Sequence, residues 1–99
     1  KESSFSGVFP LVKILEEHGA FVKVHDPMYS LQEISKFGFK PYQIGEEVDG
    51  AILHSNHKEY VNLGTKDFPK IKAIIDGRRF LNPINFQSIK FRVIGAPRD

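Results

Sequence analysis

The chain has 99 residues, enough to enclose one core but not two. Its 40 % hydrophobic and 26 % charged residues are ordinary for a globular domain, and a net charge of +2 with interleaved acids and bases leaves no footprint for nucleic acid or a membrane surface. The absence of cysteine excludes disulfides, thiolate metal sites and a cysteine nucleophile within these residues, and no apolar run approaches the roughly 18 residues that a spanning helix needs.

No signal-peptide pattern opens the chain, so a cytoplasmic setting is expected, and a start on Lys1 rather than methionine is expected of a fragment or a processed product. Ser3, Ser4 and Ser6 are candidate N-caps for a first helix. Apolar residues at Val8, Leu11, Val12 and Leu15 follow at helical spacing, broadened by Phe9 and Ile14. Pro10 is tolerated only in a first turn, which sets the start, and Gly19 closes the helix. The segment from Ala20 to His25 reads as a strand, with Val22 and Val24 on one face, ended by Asp26-Pro27. Ser30 to Phe37 reads as a short helix, with Ser30 as N-cap, Glu33 at the capping-box position and Gly38 as its stop.

Residues 39–50 are the least patterned. Phe39, Pro41, Tyr42 and Ile44 suit a short extended edge, and Gly45-Glu46-Glu47 a turn. Ala51 to His54 is a second apolar strand, followed at once by the polar cluster Ser55, Asn56, His57 and Lys58. Ser55 or Asn56 is expected to cap a short helix through Val61, which Asn62-Leu63-Gly64 ends. Residues 67–72 connect to Ala73-Ile74-Ile75-Asp76-Gly77-Arg78-Arg79. There β-branched residues run straight into an acid, a glycine and two guanidinium groups. Such a strand is expected to be buried on both faces, with its polar residues just past its carboxyl end, where open α/β sheets bind ligands. Gly77 is expected to allow a sharp turn, and Arg78 and Arg79 to point in different directions, as successive residues of an extended chain do. A guanidinium fork suits phosphate or carboxylate. The plainer alternative is that Asp76 caps the turn, Arg78 pairs with it and Arg79 is solvated. Pro83 to Ser88 has room for a helical turn, Lys90 to Gly95 is the last strand, and residues 96–99 form a tail.

Alternating helices and strands with short connections predict an α/β fold: a small three-layer domain, its mostly parallel sheet covered by helices on both faces. This is a doubly wound, Rossmann-like plan. Its polar strand ends at Asp26, at 54–57 and at 76–79 are expected to converge on one edge. Gly-x-Gly-x-x-Gly, P-loop and Gly-x-Ser-x-Gly motifs are absent from the sequence. His54 and His57 have a spacing open to a metal but no evident third ligand, so turn or packing roles are simpler for them, and no metal site is expected.

Several stretches together resemble one family. Lys1-Glu2-Ser3-Ser4 before an amphipathic helix ending in Glu17-His18-Gly19-Ala20 is similar to an Arg-Glu-Ser-Pro or Arg-Glu-Ser-Ser opening. Val24-His25-Asp26-Pro27 resembles Val-Tyr-Asp-Pro, and Ala51 to Tyr60 resembles Ala-Val-Val-Ile-Ala-Thr-x-His-x-Glu-Phe. Ile74 to Arg79 resembles Val-Ile-Asp-Gly-Arg, and Ile94-Gly95 a Gly-Ile-Gly ending. In this order they are those of the C-terminal domain of the UDP-glucose/GDP-mannose dehydrogenases, which oxidise nucleotide sugars to uronic acids with NAD for polysaccharide biosynthesis. The resemblance implies a nucleotide-sugar substrate, an N-terminal Rossmann domain that holds most of the NAD, a central dimerising region that makes the complete enzyme a homo-oligomer, and catalytic residues outside this domain, which alone is then inactive. It places Arg78 at the nucleotide-sugar site; Arg79 beside it either assists there or faces solvent. It places Lys1, where the family has arginine, on the cofactor side of the interdomain cleft.

Two other readings compete. A receiver-like signalling module would use Asp26 and Ser55, but no second acid accompanies Asp26 and no lysine ends the third strand. A stand-alone, non-catalytic domain that binds nucleotides or proteins is compatible with the same residues.

Overall fold

The structure is a computed structural model that describes residues 7–55 and 57–94. The backbone divides into two compact units, Lys1–Gln43 and Ile44–Asp99.

In the first unit, helix α1 (Val8–Glu17) has Pro10 in its opening turn, where no intrahelical N–H is required. Its N-cap is Gly7, not one of the expected serines, which lie outside the described residues. Of the apolar stripe, Val12 is buried and Val8, Leu11 and Leu15 are half-buried. Gly19, at φ 92°, lets the chain reverse, so that the N–H groups of Gly19 and Ala20 donate to Glu16 O and Leu15 O, both at 3.0 Å. Strand β1 is only Lys23–Val24, shorter than the expected 20–25, because its parallel partner β2 is the two-residue Lys40–Pro41. Pro41 lacks the N–H to carry the ladder further, and Tyr42 N–H resumes it by donating to Val24 O at 2.7 Å. Asp26 ends β1 by accepting the Met28 N–H at 2.8 Å. Helix α2 (Leu31–Lys36) starts in the expected capping box: Glu33 N–H donates to Ser30 Oγ at 3.0 Å, and Ser30 N–H to Glu33 Oε1 at 2.8 Å. Ile34 and Tyr42 are buried here with Val12.

The second unit is a three-stranded parallel sheet of β3 (Gly50–Leu53), β4 (Ala73–Asp76) and β5 (Lys90–Val93), with β4 in the centre. Leu53, Asp76 and Val93 stand in register, as do Ala51, Ile74 and Phe91 one pleat earlier. All six side chains share one face, and Leu53, Ile74 and Asp76 are buried there. The other face carries Ile52, Ile75 and Arg92, half-buried to exposed, so β4 is fully buried on one side only. Among the described residues the connections hold three 3₁₀ turns rather than longer helices. Lys58–Tyr60 has His57 at its N-cap with no side-chain cap bond, so the expected Ser55 cap is not used, and Asn56 lies outside the described residues. Thr65–Asp67, not anticipated in sequence, is closed by Asp67 Oδ2 accepting the Gly64 N–H at 3.0 Å. Pro83–Phe86 begins on Asn82, whose Oδ1 accepts the Ile84 N–H. It delivers Phe86 to the core, where the ring is 0 % exposed and stacks on Phe91 with centroids 5.6 Å apart.

Parallel pairing, with helices and strands alternating along the chain, makes this a small α/β domain, as the sequence predicts. No helix among the described residues is long and apolar enough to cross a membrane.

Candidate functional site

The candidate site lies past the carboxyl end of β4, the central strand. Successive residues of β4 alternate between faces, and the same alternation that buries Ile74 also buries Asp76. A buried carboxylate must find donors, since leaving it unpaired costs far more than a neutral polar group would. The Asp76 side chain is 0 % exposed and finds them in the loop that follows. Oδ1 accepts the Arg78 N–H at 3.0 Å, and Oδ2 accepts those of Phe80 and Leu81 at 2.8 and 2.7 Å. The expected turn cap is therefore present. Arg78 meets Asp76 through its backbone N–H, not through the side-chain pair of the plainer alternative.

Gly77 is required for a reason other than the expected one. Its φ is not positive; the left-handed residue of the loop is Arg79, at φ 54°. Space is what demands glycine at 77. Its N–H donates to Leu53 O at 3.0 Å, and a Cβ there would sit 2.8 Å from that same oxygen, closer than real Cβ atoms approach. Gly77→Ala is thus expected to force the ends of β3 and β4 apart and to destabilise the chain by about 1–3 kcal/mol. An unchanged urea midpoint would show that the two strand ends are not held this closely.

Arg78 and Arg79 follow in the turn, not in extended chain, so strand alternation does not set their directions. Both are exposed, and neither guanidinium has a partner among the described residues. A left-handed arginine costs about 1–2 kcal/mol relative to the right-handed region. The Asp76 bonds to Arg78, Phe80 and Leu81 flank Arg79 and hold it there. Two guanidinium forks without a partner among the described residues, at the end of a central parallel strand, form a site able to take an anion with several oxygens.

The end of β3 reaches the same edge, tied in by the Gly77 N–H to Leu53 O bond. His54 there is exposed, whereas the half-buried His57 ring meets Tyr60 edge-on, 5.5 Å between centroids, which is a packing role. Asp26 belongs to the first unit. Lys1 lies outside the described residues. Among the described residues no three His, Asp or Glu side chains gather as a metal site. In the connection after β1 the Met28 N–H is already taken by Asp26 Oδ1 and so is not free for a pyrophosphate oxygen.

Comparison with curated proteins and with solved structures gives no match. A family model does match, over residues 4–83, which takes in β1 to β4 and the whole loop from Asp76 to Leu81 but stops before β5. With most of its length matched, and the arginine-bearing loop inside the match, the chain belongs to the UDP-glucose/GDP-mannose dehydrogenase family, as its UDP binding domain.

Proposed function

We propose that this chain is the C-terminal, nucleotide-sugar-binding domain of an NAD-dependent nucleotide-sugar 6-dehydrogenase, which oxidises the primary alcohol of a UDP-linked sugar to a uronic acid. The observation that carries this reading is the family match running through a loop that presents two exposed guanidinium groups without a partner among the described residues. Arg78 is the main contact to the diphosphate and Arg79 its assistant, since paired forks match the geometry and charge of a nucleoside diphosphate. This domain contributes position rather than bond breaking, holding the nucleotide end while the sugar is oxidised elsewhere. The cofactor then belongs mainly to an N-terminal domain of the same enzyme, with Lys1 as a contact to it. The complete enzyme is then a cytoplasmic homo-oligomer, and the domain alone is inactive.

Calorimetric titration of the chain with UDP and with uridine tests the reading. Saturable binding of UDP, at least tenfold tighter than uridine and weakening as salt is raised, is the expected result. UDP binding no tighter than uridine would remove the diphosphate from the argument and the reading with it. For the enzymatic part, the adjoining coding sequence is expected to carry a cysteine-bearing segment and a strand leading into Gly-x-Gly-x-x-Gly.

A further inference from the structure

The loop after β4 has the makings of an anion nest, and the chain fills that nest with its own carboxylate. Backbone N–H groups gathered around a left-handed residue form a concavity that attracts anions. Arg79 supplies the left-handed residue, and the N–H groups of Arg78, Phe80 and Leu81 all converge on Asp76. The Gly77 N–H is committed to Leu53 O. A phosphate arriving here finds the N–H groups of Arg78, Phe80 and Leu81 already engaged by a fully buried acid, so most of its charge must be met by the side chains that leave the loop.

We propose that Asp76 is a positioning residue for the nucleoside diphosphate: by engaging the N–H groups of Arg78, Phe80 and Leu81 it keeps the phosphates off these donors and fixes the direction in which Arg78 presents its guanidinium. This rests on the assignment of Arg78 to the diphosphate made above. The physical gain is preorganisation. A fork whose backbone is pinned on both sides of a left-handed residue gives up less freedom when it binds than one on a mobile turn.

Asp76→Asn is the informative variant, because its single oxygen can still accept from Phe80 and Leu81 while its NH₂ faces the Arg78 N–H, donor against donor. UDP is the probe, with Asp76→Asn, Arg78→Ala and the double variant compared by calorimetry and amide deuterium exchange. Asp76→Asn is expected to release the Arg78 amide to exchange, to keep Phe80 and Leu81 protected, and to weaken UDP roughly fivefold. The double variant is expected to bind no more weakly than Arg78→Ala alone, since Asp76 acts through Arg78. If Arg78→Ala weakens UDP but Asp76→Asn does not, or if the two losses add, the positioning role is wrong while the Arg78 assignment stands. If Arg78→Ala itself binds UDP normally, the assignment fails first. Should Asp76→Asn not fold, the unaltered chain decides: with UDP saturating, the Phe80 and Leu81 amide signals are expected to stay in place while the Arg78 side-chain Nε–H signal moves. Large shifts of those backbone amides would show phosphate in the nest and overturn the proposal.

Discussion

Arg78→Ala is expected to weaken UDP binding by roughly 10- to 150-fold, the range that hydrogen bonds to a charged group span when lost. The figure follows from where Arg78 stands. It sits two residues beyond the last residue of the central strand, its backbone N–H bound to Asp76 at 3.0 Å, its side chain exposed and without a partner among the described residues. Removing it therefore breaks no ion pair among the described residues, and thermal stability is expected to stay near that of the parent chain. Arg78→Lys separates charge from geometry. An ammonium keeps the positive charge but cannot offer the two parallel donors of a guanidinium, so affinity is expected to fall between parent and alanine variant. Calorimetry with UDP reads both. An affinity unchanged in Arg78→Ala would move the diphosphate away from this loop.

Phe86→Ala is expected to cost about 3–5 kcal/mol of stability, since Phe86 is the largest fully buried side chain among the described residues. The Phe86 ring is fully buried and stacks on Phe91, whose strand neighbour in register is Ile74. The segment that carries it cannot collapse freely into the space left behind. Its first turn is fixed by Asn82 and Pro83, and Asn85 is fastened to the chain by its Nδ2 donating to Leu63 O at 3.2 Å. Gly64 lies against Asn85 so closely that a Cβ would meet it at 3.1 Å. A cavity bordered by such anchored backbone stays open, and open cavities carry the full penalty. Urea unfolding is the measurement. A loss under about 1 kcal/mol would mean that the site collapses and that Phe86 is not the keystone of this unit.

Much of the local structure was legible because it is coded within a few residues. The Ser30 and Glu33 capping box, the glycine stops at 19 and 38 and the helical turn that opens on Pro83 are contacts between near neighbours in sequence. The apolar run into Asp76 likewise marked the central strand. Other features escaped. Strand β1 shrank to Lys23–Val24 because its extent depends on a partner that begins at Lys40 and is cut short by Pro41. The turn Thr65–Asp67 rests on one carboxylate bond to Gly64, too small a signal to stand out from a polar connection.

At the site the division is sharper. The sequence by itself determined that an acid, a glycine and two arginines follow an apolar strand, and the family to which that pattern belongs. Fold class followed as well, since alternating periodicities allow few arrangements other than a parallel α/β sheet. Only the tertiary structure decided what each of those residues does. Glycine at 77 answers to the Leu53 carbonyl on a neighbouring strand, and the left-handed strain falls on Arg79 because Asp76 draws in the N–H groups on either side. Burial of Asp76, in turn, is set by the packing of the sheet face it shares with Ile74 and Leu53. Each of these is a constraint of space and desolvation between chain segments that folding brings together, and such constraints have no period, spacing or motif from which to be read.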